Sequence, residues 1–158
     1  MRKEITFVSA DEAVKVVKSG DHIHLSSVAS APRVLIEALC RRGEAGELQD
    51  VQAGYSDYIP VFLSETQKLY RCGALRCDVA MIQVCPPDKH GYVSLGTSVD
   101  ATLAAIECAK TVIAVVNPNV PRAWGDAMIP MDMIDIFVEG NEPLEPAHFS
   151  DPDEVETA

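Results

Sequence analysis

Two stretches of the chain are almost continuously apolar, at residues 78–84 and 111–116. Strands that are exposed on one face alternate apolar and polar residues, whereas strands buried on both faces carry unbroken apolar runs. Around these stretches, apolar positions recur at helical spacing. The pattern therefore predicts an α/β fold, in which both stretches are central strands of a mainly parallel sheet flanked by helices.

The amino-terminal part adds two helices and a short strand. Ser9 and Glu12 have the spacing of a capping box, which predicts a helix that ends at Gly20. A strand is predicted at 21–26. A second helix is predicted over 32–43, because a proline near its start and a glycine after two arginines are typical boundaries.

The rest of the chain carries weaker signals. Ser64 and Gln67 predict a second capping box and a short helix to about Cys72, and Thr97 or Ser98 is expected to cap a further helix. The remaining expectations are short strands at 48–52, 92–95 and 133–138, an edge strand or buried loop at 58–63, and an irregular loop at 117–130.

Composition narrows the function classes. The 158 residues carry a net charge of −11, and an acidic surface repels phosphates, so no nucleic acid partner is expected. No apolar run is long enough for a membrane span and no secretion signal begins the chain, which favours a cytoplasmic protein without a membrane partner. After Gly140 the sequence is polar and proline-rich, so we expect one domain over 1–145 and a linker over 146–158.

The five cysteines do not indicate a disulfide framework or a metal site. Their number is odd and none forms a CxxC pair, which is typical of reduced thiols. Cys72, Cys77, Cys85 and His90 lack the second closely spaced pair of a zinc site. No metal is therefore expected. Glycine-rich nucleotide-binding loops and a GxSxG nucleophile elbow are also missing from the sequence.

The turns that follow the predicted strands are the expected location of the chemistry. In open α/β sheets, ligands bind outside the carboxyl ends of the strands. Four segments qualify, at 26–30, 85–91, 96–98 and 117–125, and their small residues allow close approach to the backbone. An arginine in the last segment can bind a carboxylate or phosphate bidentately, with a surface ion pair as the alternative. The candidate substrate-binding residues are Ser27, Gly91, Gly96, Asn117 and Arg122.

The segment 78–100, with sequence DVAMIQVCPPDKHGYVSLGTSVD, strongly resembles the acetyl-CoA hydrolase/transferase family. Segments 58–65, 109–126 and 134–144 resemble it as well, and the 4-hydroxybutyrate and acetate CoA-transferases are the most similar type. The resemblance implies two similar α/β domains, of which this chain corresponds to the first. It also implies that a glutamate of the second domain attacks the acyl-CoA thioester and then carries CoA as a covalent intermediate.

The same resemblance implies the ligands and partners. Acyl-CoA and a short carboxylate of the acetate or 4-hydroxybutyrate class would be the substrates, and no cofactor would be covalently bound. The partner would be a complementary carboxyl-terminal domain, or a second copy of the chain. Because the sequence contains no counterpart of the second domain, the chain by itself is expected to be inactive.

The chain also departs from the family pattern inside the first domain. Relatives carry a longer segment between 48–52 and Tyr58, and they often have glycine where Ser26 and Ser30 stand. The shortening removes what resembles a strand and a helix. Three glutamates could in principle replace the missing nucleophile, but none has a recognisable base or oxyanion partner, so structural or solvated roles are expected. They are Glu65, Glu107 and Glu139.

Two other interpretations remain open from the sequence. The chain could be a non-catalytic remnant, or a domain that binds a partner through the surface that a second domain would cover. It could also be an unrelated small α/β domain of the sugar-phosphate isomerase type. The last would require a base and a phosphate loop, and the sequence shows neither.

Overall fold

The computed structural model describes residues 5–26, 28–48 and 61–144. Within these ranges, strands and helices alternate along most of the chain. The strands are β1 (Phe7–Val8), β2 (Ile23–Leu25), β3 (Val79–Val84), β4 (Tyr92–Ser94), β5 (Thr111–Val116), β6 (Met128–Pro130) and β7 (Ile136–Glu139). The α-helices are α1 (Ala10–Ala13), α2 (Arg33–Glu44), α3 (Thr66–Arg71) and α4 (Thr102–Cys108).

Five of the strands form a parallel sheet in the order β1–β7–β5–β3–β2. At its centre, β3 and β5 pair in register along six residues each, from Val79 opposite Thr111 to Val84 opposite Val116. Strands β4 and β6 form a separate antiparallel pair. The predicted α/β class with a mainly parallel sheet is confirmed.

The core lies on both faces of the two central strands. Ala80, Ile82 and Val84 of β3 point to one face, where they pack with β4, β6 and α4. Val79 and Met81 point to the other face, where they pack with α1 and α2. Every residue of β3 is buried. Burial on both sides explains why this segment is apolar without alternation.

Asp78 joins three neighbouring strands at the amino edge of the sheet. Its carboxylate accepts a hydrogen bond from the backbone N–H of His22, at 3.0 Å, and pairs with Lys110 at 2.8 Å and Arg76 at 2.7 Å. Its backbone N–H donates to the His22 carbonyl and its carbonyl accepts from Thr111. The His22 N–H and the Lys110 ammonium hold the pKa of Asp78 well below its ordinary value.

The predicted cap of α1 is confirmed, but its predicted end at Gly20 is wrong, because α1 ends at Ala13 and the 3₁₀ turn that follows ends at Val16. Ser9 caps α1, since its hydroxyl accepts a hydrogen bond from the Glu12 N–H at 3.2 Å. The second helix, however, does not end at Gly43, which is buried within α2. The residue with left-handed backbone is Gly46, at φ +74°. Its N–H donates to the Gly43 carbonyl and the Glu47 N–H donates to Arg42, which satisfies the last carbonyls of the helix.

The capping residues predicted for α3 and α4 are wrong. Ser64 lies in the 3₁₀ turn Leu63–Glu65, and no side chain caps α3. Helix α4 begins at Thr102 instead of near 97–98. The Asp100 carboxylate accepts hydrogen bonds from the Thr102 N–H and hydroxyl, both at 3.1 Å. The Asp100 carboxylate therefore binds the first N–H of the helix, that of Thr102, in place of the expected serine or threonine hydroxyl.

Five further segments differ from the prediction or lie outside the described residues. The 117–130 loop ends in β6, and β7 begins only at Ile136 because Met131–Met133 forms a 3₁₀ turn. Residues 58–60 of the segment predicted as an edge strand or buried loop lie outside the described residues, and Val61 and Phe62 are exposed and belong to no strand. The predicted strand at 48–52 and the linker at 146–158 lie outside the described residues, except Leu48.

Within the described ranges, no helix has the length and apolar character needed to cross a membrane.

The Asp78 cluster generates a test of stability against pH. Stability from a carboxylate with a lowered pKa is present above the pKa of the unfolded chain, about 3.9, and is lost as pH falls through the folded value. We expect Asp78→Asn to lower the urea midpoint at pH 7 and this deficit to narrow below about pH 4. The measurement is urea unfolding followed by circular dichroism across that range.

Asp126→Asn is the matched control, since Asp126 is exposed. It should leave the midpoint close to that of the parent chain at each pH. A deficit in Asp78→Asn that stays constant down to pH 2 would contradict the electrostatic explanation.

Candidate functional site

The carboxyl ends of the parallel strands meet at one edge of the sheet. Ser26 follows β2, Cys85 follows β3, Asn117 follows β5 and Gly140 follows β7. This edge is where the loops of an open α/β sheet bind ligands. The structure brings the four sequence-predicted segments together here, through three sets of contacts.

The first contact joins the turn after β2 to the turn after β4. The hydroxyls of Ser30 and Thr97 lie 2.6 Å apart. Ser30 is fully buried, whereas Thr97 is exposed. A side-chain bond therefore connects two segments that are 67 residues apart in the sequence.

The second contact packs the turn containing Gly96 against the loop after β5. Gly96 has a left-handed backbone, at φ +64°. A Cβ atom at this position would lie 2.3 Å from Cγ1 of Val120 and 3.0 Å from the carbonyl oxygen of Pro121. Only glycine fits so close a backbone approach. Gly96 thus allows the turn after β4 to pack closely against the loop after β5.

The third contact is made by Arg122. Its guanidinium donates to the carbonyl oxygens of Pro86 and Tyr92, the latter at 3.3 Å, and lies 3.9 Å from the Asp88 carboxylate. The side chain is 28% exposed. In the described structure, Arg122 therefore holds the 85–91 loop against the 117–125 loop, and a ligand would reach only the remaining exposed part of its guanidinium.

Asp88 shapes the loop that Arg122 holds. Its carboxylate accepts hydrogen bonds from the backbone N–H groups of His90, at 2.8 Å, and Tyr92, at 2.9 Å. The Tyr92 N–H, with help from His90 and Arg122, lowers the pKa of Asp88. Gly91 completes the turn with a left-handed backbone, at φ +85°.

Asn117 is a buried link between strands. Its amide group donates to Oε1 of Gln83, at 2.9 Å, and to the carbonyl of Glu142, at 2.8 Å. Its Oδ1 accepts from the Asn119 N–H. Both amide hydrogens are thus used inside the protein, and the residue has no exposed surface. In this geometry Asn117 fixes the chain after β7 to β3 and β5.

A cleft of about 500 Å³ opens beside these loops, at the ends of β1, β7 and β5. Most of its lining is apolar, and Glu139 provides a carboxylate at its rim. The lining residues are Ile5, Phe7, Pro86, Pro87, Val116, Pro118, Glu139, Gly140 and Asn141.

A polar network that no sequence pattern predicted is centred on His24 and reaches the same edge through Ser98. His24 lies with Nδ1 3.1 Å from the Tyr70 hydroxyl and Nε2 3.2 Å from the Thr102 hydroxyl. Thr102 donates to Asp100, whose other oxygen accepts from Ser98 at 3.4 Å. Burial lowers the pKa of His24, so the ring is neutral near pH 7.

Comparison with known proteins identifies the family. Residues 45–146 match the family model described as the acetyl-CoA hydrolase/transferase N-terminal domain. The chain belongs to the acetyl-CoA hydrolase/transferase family.

Individual relatives agree with this family. A 4-hydroxybutyrate coenzyme A transferase of Clostridium kluyveri is 49% identical over 94 residues, which cover 60% of this chain and 22% of the relative. A butyryl-CoA:acetate CoA-transferase of Anaerostipes caccae is 31% identical over 175 residues, covering 85% and 39%. The crystal structure of a 4-hydroxybutyrate CoA-transferase from Porphyromonas gingivalis superimposes with a TM-score of 0.75 at 32% identity, covering 89% and 41%. The chain thus spans less than half the length of these relatives.

One of these matches is also informative about length. The match to the Anaerostipes caccae transferase runs over 175 positions, which is longer than the 158 residues of this chain. The relative therefore carries residues within the matched region that this chain lacks.

The three candidate glutamates of this acetyl-CoA hydrolase/transferase domain lie in different surroundings. Glu65 pairs with Lys68 and Glu107 pairs with Arg71, each at 2.9 Å and each on the exposed surface of the helices. Glu139 alone of the three lies at the carboxyl edge. Its backbone neighbour Gly140 already donates its N–H to the Val116 carbonyl, so that N–H is not available as an oxyanion donor.

The remaining sequence candidates are placed as follows. Ser27 lies outside the described residues. The Ser94 hydroxyl donates to the Ala123 carbonyl at 2.9 Å and accepts from the Gly96 and Ala123 N–H groups, so it shapes the turn. In the described part of the chain, no three His, Cys, Asp or Glu side chains are grouped in a way that could hold a metal ion.

The packing of Gly96 generates a stability prediction. Gly96→Ala should lower the free energy of unfolding by about 2–5 kcal/mol, from about 1–2 kcal/mol of left-handed strain and about 1–3 kcal/mol of overpacking. Gly20→Ala is the control, because Gly20 is also left-handed, at φ +82°, but has open space around its Cβ position.

Chemical denaturation measures both variants. The control should lose only the strain component, about 1–2 kcal/mol. Equal losses in the two variants would show that the Gly96 turn is not packed against the 117–125 loop.

Proposed function

We propose that this chain acts as the substrate-facing amino-terminal domain of a CoA-transferase, and that the nucleophilic glutamate comes from a second domain. The reaction would move CoA between an acyl-CoA and a short carboxylate of the acetate or 4-hydroxybutyrate class. Family membership supports the class of reaction. The names of the relatives from Clostridium kluyveri and Porphyromonas gingivalis support the class of carboxylate.

The observation that carries the proposal is the chemistry of the carboxyl edge. Its loops present the Thr97 hydroxyl, small residues and the exposed part of the Arg122 guanidinium, which suit binding and orientation of a substrate. A nucleophilic carboxylate also needs donors that stabilise the developing oxyanion. Glu65 and Glu107 are engaged in ion pairs on the helices, and Glu139 faces a largely apolar cleft.

The division of labour follows from this arrangement. A glutamate of the second domain would attack the thioester carbonyl, which releases CoA as a thiolate and forms a mixed acyl–glutamyl anhydride. The thiolate would then attack the glutamyl carbonyl of that anhydride, which forms a glutamyl-CoA thioester and releases the first acid. Attack by the incoming carboxylate on that thioester would reverse these steps. The present chain would hold the acyl part of the substrate and exclude water, which protects the reactive intermediate from hydrolysis. No covalently bound cofactor is needed for this chemistry.

A non-catalytic role in partner binding is the second candidate, and exposed aromatic residues favour it. Phe62 and Trp124 are each 79% exposed, and Phe7 is 46% exposed. Exposed apolar surface is typical of an interaction site. The same residues would also be covered if a CoA-transferase second domain packed here, so the experiment below is chosen to separate the two roles.

Complementation tests the proposed function. The 158-residue chain is mixed with a separately produced carboxyl-terminal domain of the Clostridium kluyveri relative, and CoA transfer from 4-hydroxybutyryl-CoA to acetate is followed. We expect no turnover from either part alone and measurable turnover from the mixture, because only the mixture has both substrate loops and nucleophile.

Glu139→Gln provides the control for a nucleophile within this chain, and it should leave turnover of the mixture unchanged. Turnover by the 158-residue chain alone would contradict the proposal. Tight association of the two parts without turnover would favour the partner-binding role.

A further inference from the structure

Burial indicates which of the two hydroxyls, Ser30 or Thr97, donates the hydrogen bond between them. Each hydroxyl carries one hydrogen, and the two oxygens lie 2.6 Å apart. Thr97 is the one side-chain partner of the fully buried Ser30 hydroxyl in the described structure. If Thr97 donated, the Ser30 hydrogen would be buried without an acceptor, at a cost of about 1–3 kcal/mol. Ser30 therefore donates and Thr97 accepts.

This direction leaves the Thr97 hydrogen free. Thr97 is exposed, and within the described ranges its hydroxyl has no hydrogen-bond partner besides Ser30. The hydroxyl therefore presents one donor hydrogen and one remaining lone pair at the carboxyl edge of the sheet. A ligand oxygen that both accepts and donates would match it fully.

The turn that carries Thr97 is held in place on both sides. Gly96 packs against Val120, and the Ser98 hydroxyl donates to Asp100. Asp100 is in turn linked through Thr102 to His24. Because the carboxylate only accepts, Thr102 must donate to it and accept from Nε2–H of His24. The turn is therefore already ordered before a ligand binds, which reduces the entropic cost of binding.

The free groups of Thr97 favour one kind of ligand oxygen. A ligand carboxylate only accepts hydrogen bonds, so it would use the Thr97 hydrogen alone. A ligand hydroxyl both donates and accepts, so it would use the free hydrogen and the free lone pair together.

We propose that Thr97, positioned by Ser30, binds the hydroxyl group of a short hydroxyacyl substrate and so sets a preference for hydroxy acids over plain acids. This inference rests on the proposed function, since it takes the carboxyl edge as the substrate-facing surface. Thr97 is a binding residue in this assignment, and Ser30 is a positioning residue.

Binding of two matched acids tests the proposal directly. The ¹⁵N-labelled 158-residue chain is titrated with 4-hydroxybutyrate and with butyrate, which differ only in the hydroxyl, and the amide shifts of 96–98 give the dissociation constants. We expect 4-hydroxybutyrate to bind about threefold to tenfold more tightly, the effect of one neutral hydrogen bond.

Three substitutions examine the residues. Thr97→Val should reduce 4-hydroxybutyrate affinity to that of butyrate, and Thr97→Ser should restore the preference because it keeps the hydroxyl. Ser30→Ala should weaken 4-hydroxybutyrate binding and leave butyrate binding unchanged, a split that a general loss of structure would not produce. Thr111→Val makes the same chemical change at the opposite edge of the sheet, and should alter neither affinity.

Three outcomes would overturn the inference: equal affinity for the two acids, an undiminished preference in Thr97→Val, or no binding of 4-hydroxybutyrate by a folded chain. Turnover in the mixture of the two domains is measured independently. If that mixture transfers CoA without a preference for the hydroxy acid, the proposed function stands and this inference fails.

Discussion

Burial of β3 and β5 on both faces is the constraint on which the rest of the structure depends. In these two adjacent parallel strands every residue except the partly exposed Thr111 is buried, so both sequences are mainly apolar and each face must be covered. Polar groups are then confined to the two ends of the strands. Asp78 occupies the amino edge and Asn117 the carboxyl edge, and each links neighbouring strands through hydrogen bonds.

The same constraint places the chemistry. The loops at the carboxyl edge are where an open α/β sheet binds ligands, and the contacts of Gly96, Thr97 and Arg122 gather those loops into one surface. That surface presents the Thr97 hydroxyl and part of the Arg122 guanidinium. Such a surface suits the substrate side of a CoA-transferase, in which the acylated carboxylate belongs to another domain.

The sequence was sufficient for the features that depend on local chemistry. The apolar runs predicted β3 and β5, and the spacing of Ser9 and Glu12 predicted the cap of α1. Features that depend on tertiary contacts were not predictable in this way. Ser64 has the right spacing for a cap but lies in a 3₁₀ turn, and Ser30 meets Thr97 across 67 residues that no local pattern connects.

In the candidate site, too, local features were predictable from the sequence and tertiary contacts were not. The strand ends could be located from the sequence, so the four segments were found. The orientation of the side chains within these segments could not be predicted, because it depends on tertiary contacts. Arg122 donates hydrogen bonds to backbone carbonyls, and the Asn117 amide donates to Gln83 and Glu142. Both residues fix the loops that a substrate would contact.

The location of the nucleophile is tested by the intact mass of this chain after incubation with 4-hydroxybutyryl-CoA and a complementary second domain. We expect the mass of the 158-residue chain to stay unchanged and the acyl or CoA adduct to be found on the second domain. An adduct on any carboxylate of this chain would place the nucleophile here instead.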